Sequence, residues 1–180
     1  VISNLKPCNI NVTKDLDYTS GKRFSGWNLL GNPFACNAYL VDGNDFYHLQ
    51  EVEGESKIVL AESNVIAPME GIFVVASAEG ESVTFTADEP RGERMNMMDF
   101  TLRKAFMRSN VCLDRARVRI GEGQNMGHLD LMADPNRLYI PMDVKAMAVV
   151  NTQPIGELPL NFEAASDGTF VLGFTNKAEG

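Results

Sequence analysis

Apolar and polar residues alternate with a period of two, in short runs spaced 8–12 residues apart, along most of this chain. A strand with one buried and one open face has this period, whereas an amphipathic helix needs one near 3.6. The clearest run is Arg115-Ala116-Arg117-Val118-Arg119-Ile120, where Ala116, Val118 and Ile120 are expected inside and the three arginines outside. Further strands are expected around Ile10 and Val12, over Phe24 to Leu30, at Lys57 to Ala61, and at Ser82 to Thr86. Gly71 to Ala76 is apolar at nearly every position and should be a central strand. Asp99 to Phe106 fits a strand better than a helix, given its neighbours, and Leu129 to Met132, Leu138 to Ile140 and Ala146 to Val150 read as three more strands. Roughly a dozen strands with few helical stripes indicate an all-β chain, a two-part antiparallel β-sandwich of jelly-roll-like kind with little helix.

Local turn chemistry sharpens the picture. Asp42-Gly43-Asn44-Asp45 separates Ala38–Val41 from Phe46–Leu49 and is expected to close a hairpin, with Gly43 supplying a positive φ. The same residues fail the pattern of a calcium loop, so turn formation is their simpler role. The segments Gly71–Ala87 and Gly156–Phe174 each read as apolar strand, polar turn, apolar strand, so each half is expected to end in a hairpin.

Charge divides the chain. Residues 1–90 carry thirteen acidic and five basic side chains, while residues 91–180 carry eleven of each. The shift falls at Asp88-Glu89-Pro90-Arg91-Gly92, a Pro- and Gly-punctuated stretch. Two units are therefore expected, 1–88 and 89–180, docked closely or continuous as one domain. Residues 91–119 hold a local net charge of +5, which offers the acidic first half something to dock against. The chain as a whole is at −8, which argues against nucleic acid as a partner.

Chemistry-bearing residues are few. His48 and His128 stand eighty positions apart, outside any metal-binding spacing, and no metal or cofactor is expected. Cys8, Cys36 and Cys112 form no CxxC pair and are read as small buried apolar residues, with a Cys8–Cys36 bridge as the alternative. Nucleophilic catalysis needs a nucleophile beside a base, and no GxSxG elbow exists. Carboxylates cluster at Asp42, Asp45, Glu51, Glu53 and Glu55, but such a run ordinarily makes a solvated edge, so a carboxylate hydrolase ranks third among functions.

Two binding surfaces remain. Trp27, the only tryptophan, sits on the same strand face as Leu29 and is read as a core anchor; with Tyr39 and Tyr47 it is also a candidate sugar-stacking platform. The row Arg115, Arg117 and Arg119 places cationic heads about 7 Å apart on one strand face. It is read as cross-strand pairing with acids such as Asp130 or Asp134, or with the acidic first half. The functional alternative is a ladder for sulfated or carboxylated glycans.

Several phrases also resemble a known group of proteins. Gly26-Trp27-Asn28-Leu29-Leu30-Gly31-Asn32-Pro33-Phe34, then Asn37-Ala38-Tyr39-Leu40, then Ile66-Ala67-Pro68-Met69-Glu70-Gly71-Ile72-Phe73-Val74 are similar to a segment of large secreted and surface proteins of Bacteroidetes. The strand Arg115 to Gly123, Tyr139-Ile140-Pro141, and Gly156-Glu157-Leu158-Pro159-Leu160-Asn161-Phe162 through Leu172 resemble the region that follows there. The resemblance spans most of residues 24–175. It implies a non-catalytic β-sandwich module near the C-terminus of an exported, adhesin-like, multi-domain protein, and it brings no catalytic residues. The start at Val1 fits a removed leader or excision from a longer chain. The expected setting is secreted or at the surface of a Gram-negative bacterium, not membrane-spanning. The expected partners are neighbouring domains, or host or bacterial surface proteins or glycans.

Overall fold

The structure, a computed structural model, describes residues 10–52, 55–89, 96–106, 109–121, 123–131, 136–153, 157–165 and 167–177. These form fourteen strands and no helix. Among the described residues no helix is long and apolar enough to cross a membrane. The chain divides into two compact units, Val1–Leu49 with Ala61–Gly92, and Gln50–Leu60 with Glu93–Gly180. A single cut near residue 88 therefore catches only one of the crossings. Residues 50–60 belong with the second unit, where the Leu60 carbonyl accepts from the Arg115 guanidinium.

In the first unit, β1 (Asn11–Asp15), β7 (Ser82–Thr86) and β3 (Tyr39–Leu40) form one sheet in the order β1-β7-β3. The other sheet has the order β2 (Trp27–Gly31), β6 (Gly71–Val75), β4 (Tyr47–Val52), β5 (Glu55–Leu60), of which β2, β6 and the start of β4 belong to the first unit and the end of β4 and β5 to the second. Leu40, Val83 and Phe85 from the first sheet meet Ile72 and Val74 from the second, with Phe34, Ala38, Phe46, Ala61 and Ile66 completing one core. This is a sandwich: alternate side chains of two sheets share one dry interior. The apolar strand β6 is central, as expected.

Two expected hairpins are absent. Gly43 has its positive φ of 62° and its N–H donates to Leu40 O. Yet β3 pairs with β7 and β4 pairs with β6, so the turn carries the chain from one sheet to the other. Likewise β6 and β7 lie in opposite sheets. A chain that changes layers at its turns gives each strand a buried face in the shared core, which a two-stranded ribbon does not.

The second unit is built on a sheet of β8 (Asn96–Phe106), β9 (Ser109–Ile120), β10 (Met126–Gly127), β11 (Arg137–Met142), β12 (Lys145–Thr152), β13 (Asn161–Glu163) and β14 (Phe170–Lys177). Its order is β13-β11-β12-β9-β8-β14, with β10 beside β12. All described pairs are antiparallel except β9 with β12. The final hairpin expected from the sequence is also absent: β13 pairs with β11 and β14 with β8. The expected strand at Leu129 is a loop instead, and Met132 lies outside the described residues. Leu102, Leu113, Ala116, Val118, Leu138, Ile140, Met147 and Val150 make the second core, with Phe100, Leu158, Leu160 and Phe170 against it. Phe162 of β13 meets Phe170 of β14 with ring centroids 5.4 Å apart, so side chains from the two outermost strands touch over that core.

Candidate functional sites

The Gly26-to-Phe34 phrase is explained by backbone geometry. Gly26 has φ 79°, and a Cβ on it would stand 2.1 Å from Ala76 O. The Asn28 amide donates to Asp17 O and Gly26 O and accepts from Asp17 N. The Asn32 amide donates to the carbonyls of Cys36, Ile66 and Ala67 and accepts from Phe34 N. Glu70 closes the other half: its carboxylate accepts from Ala67 N at 2.6 Å and lies 2.7 Å from His48 Nδ1. These polar side chains add partners to loop backbone, some of which, as at Gly26 O, Ile66 O and Ala67 O, also accepts from a backbone N–H.

Trp27 and Tyr47 are brought together. Trp27 stands opposite Val75, and Tyr47 opposite Phe73, on the sheet face turned away from Ile72 and Val74. Their rings meet edge to face, 5.7 Å between centroids. Trp27 shares its face with Leu29, as expected, but that face is not the first core, since Leu29 is 65% exposed. Tyr47 is fully buried and offers no free ring face. Trp27 is half-buried, on the same sheet face as exposed Leu29. Tyr39 lies in the other sheet.

The arginine row departs from expectation. Ala116 and Val118 are buried, but so are Arg115 and Arg117, at 6% and 4% exposure, and Arg119 is half-buried. Both faces of β9 are covered over this stretch. Arg115 donates from NH1 to Leu60 O of β5, 2.8 Å away. Arg117 forks onto Asp99, directly across the β8–β9 ladder, with Nε 2.6 Å from Oδ1 and NH2 3.1 Å from Oδ2. Cross-strand pairing was the right principle and Asp99 the partner. Asp130 serves other residues, and Asp134 lies outside the described residues. The row is no solvent-facing ladder, which removes the glycan reading from Arg115 and Arg117.

A second ionic cluster escaped the sequence reading. His128 Nε2 lies 2.7 Å from Asp114 Oδ2 and Nδ1 lies 2.9 Å from Asp130 Oδ1. Asp114 also accepts from the backbone N–H groups of Arg115 and Leu138. Arg137 donates to Asp130 and to Glu163, its cross-strand partner, and Tyr139 O–H donates to Glu163 at 2.9 Å. Burial works against charging His128, but the bond to Asp114 and the charges of Asp114 and Asp130 outweigh it and raise its pKa. Bonds from Arg137 and then Tyr139 lower the pKa of Glu163.

The chemistry of this cluster is restrictive. An imidazolium donating both N–H groups to carboxylates has no lone pair with which to act as a base. A carboxylate held ionised by donors, as Glu163 is, is the opposite of the proton-bearing acid that glycoside cleavage needs. The sequence signal was present but faint: Asp114 lies inside an apolar strand pattern, and His128-Leu129-Asp130 places an acid two residues from a histidine. Among the described residues no group of three or more His, Cys, Asp or Glu is arranged to hold a metal ion. Cys36 packs partly buried against the first core, and Cys8 lies outside the described residues.

No protein-family model, curated protein or solved structure matches the chain.

Proposed function

We propose that the chain is a non-catalytic structural or adhesive β-module of a secreted or surface-attached bacterial protein. One observation carries this reading. The interior ionisable groups bind each other and the backbone, above all His128 held between Asp114 and Asp130. Charges spent in this way rigidify a scaffold; they are not poised for bond-making. The resemblance of the Gly26–Phe34 and Ile66–Val74 phrases to exported Bacteroidetes proteins supports the location. Its partners are then neighbouring domains of one polypeptide, or surface proteins or glycans of a host or another bacterium.

The second reading is a carbohydrate-binding module, favoured by half-buried Trp27 on one sheet face with exposed Leu29. Beads coated with the chain test adhesion on epithelial and bacterial cells, with heat-unfolded chain as control. Retention by the folded chain alone supports the module. A glycan array run with wild type and Trp27→Ala decides the second reading: a signal lost in the variant establishes sugar binding, and uniform silence removes it. Turnover of chromogenic glycosides that Asp114→Asn abolishes would replace both readings with a hydrolase.

A further inference from the structure

The His128 ring ties the loop that follows β10, His128 to Leu131, to the body of the second sheet. The two carboxylates on the ring differ in their access to water: the Asp114 side chain is 4% exposed and that of Asp130 is 41% exposed. Asp114 stands on β9 and also accepts from the backbone N–H groups of Arg115 and Leu138. Asp130 belongs to the loop itself, and its second oxygen accepts from Arg137 NH1 of β11 at 3.1 Å. Arg137 and Tyr139 of β11 both donate to Glu163 of β13. From β12 the Ala146 carbonyl accepts from His128 N, and Lys145, the one charged residue of that strand, is exposed. The Arg115 guanidinium on β9 reaches Leu60 O instead of the ring. Within the loop Leu129 is buried, while Leu131 is 40% exposed.

We propose that this loop is a proton-operated latch, closed on Asp114 and Asp130 together while both ring nitrogens of His128 carry a proton, and released at Asp130 when one proton leaves. A neutral imidazole keeps a single N–H. Asp114 is shut off from water and has the greater need of a donor, so the remaining proton stays on Nε2. Nδ1 then turns a lone pair towards Asp130 Oδ1, 2.9 Å away, and two acceptors at that distance repel. Asp130 is exposed enough to swing into water, and Arg137 keeps its fork on Glu163. The side-chain tie across residues 128–130 is lost while the sheet behind it stays paired, which makes the opening local. Burial opposes the charge on His128, but the bond to Asp114 and the charges of Asp114 and Asp130 outweigh it and raise the pKa above 6.5. The closed latch is therefore complete below about pH 6.5 and is lost as pH rises through the folded value.

Amide hydrogen exchange of the whole chain across a pH series, corrected for the base-catalysed rate of an open amide, tests this. Protection at Leu129, Asp130 and Leu131 is expected to fall with rising pH by up to about tenfold per unit, relative to Ala116 and Val118 of β9. Asp130→Asn offers Nδ1 an amide that accepts from it or donates to it. In that variant the loop should stay protected to the same degree at every pH. The nitrogen shifts of the His128 ring, read in wild type, should place the proton of the neutral form on Nε2. Loop protection that follows Ala116 and Val118 at every pH overturns the proposal. So does a folded Asp130→Asn protein with the wild-type slope, or a neutral ring protonated on Nδ1. The exchange and ring-shift arms use wild type alone, so they decide even where the variant fails to fold.

Discussion

His128 Nε2 lies 2.7 Å from Asp114 Oδ2, and the other nitrogen of the same ring lies 2.9 Å from Asp130 Oδ1, so one cation bridges two anions. The His128 side chain is only 8% exposed. Beyond the two aspartates stand Arg137, bonded to Asp130, and Glu163, bonded to Arg137. Removing the ring's proton would leave one of the two carboxylates facing a lone pair in a poorly solvated place.

The consequence is a stability that depends on pH in a particular direction. The folded pKa of His128 is raised above its ordinary 6.5. Its contribution is therefore complete below about pH 6.5 and is lost as pH rises through the folded pKa. Unfolding free energy should fall by at most about 1.4 kcal/mol per pH unit across that window. Denaturant unfolding measured at a series of pH values, with His128→Asn beside wild type, checks this. The variant should be less stable near pH 6 and should lack the slope. An equal slope in both proteins would assign the dependence to other groups.

The Asp99–Arg117 pair gives a prediction of another kind. Both side chains are nearly buried and directly opposed across β8 and β9. A buried pair is weak evidence for net stabilisation, but breaking it strands a charge. Asp99→Leu alone should cost about 3–5 kcal/mol, while Asp99→Leu with Arg117→Met should cost much less than the two single changes summed. Thermal melts of the four proteins measure the coupling; additive losses would mean that the fork contributes nothing as a pair.

How much of this was legible follows from what a period of two encodes. The alternation in β9 separated Ala116 and Val118 from Arg115 and Arg117, and the structure keeps that partition. Period reports two faces but not which of them is wet. Arginines default to the solvent side unless a partner is supplied, and Asp99 arrives from another strand, eighteen residues away. The Asp42-Gly43 turn shows a similar limit. The positive φ was local chemistry and readable; whether the next strand pairs beside the last or crosses to the facing sheet was set by the shared core. Asp114, His128, Arg137 and Glu163 converge from β9, a loop, β11 and β13, and no short window of sequence contains them together.

A third prediction comes from the turn Ala67-Pro68-Met69-Glu70, closed by Glu70 N–H donating to Ala67 O. Pro68 occupies the second position, and Met69 sits third with φ 63°, where a type II turn favours glycine. Met69 is 95% exposed, so its side chain packs on little. Met69→Gly should relieve the left-handed strain and raise stability by up to about 1 kcal/mol, and Met69→Val should lower it by about as much or more. The order of melting temperatures, Gly above Met above Val, is the readout; a variant series without that order would show that the turn tolerates any residue.

Asn32 supplies the last. Its amide nitrogen serves three carbonyls, those of Cys36, Ile66 and Ala67, at 3.0, 3.1 and 2.9 Å, while its oxygen accepts from Phe34 N at 2.8 Å. Asn32→Ala should cost about 1–3 kcal/mol, because Phe34 N–H and Cys36 O lose this partner together, while Ile66 O and Ala67 O keep the N–H groups of Ala38 and Glu70. Asn32→Asp should cost more, although it is nearly isosteric. The new carboxylate would turn an acceptor towards three acceptors and repel them. That repulsion raises the folded pKa of the new group above the unfolded carboxyl value, since protonation restores one donor. A group so shifted contributes best when protonated, so the Asn32→Asp protein should recover stability, relative to Asn32→Ala, as pH falls through the carboxylate range. Unfolding of both variants at about pH 7 and about pH 4 settles it; an Asn32→Asp protein as stable as wild type at neutral pH would mean that the three carbonyls do not depend on this amide.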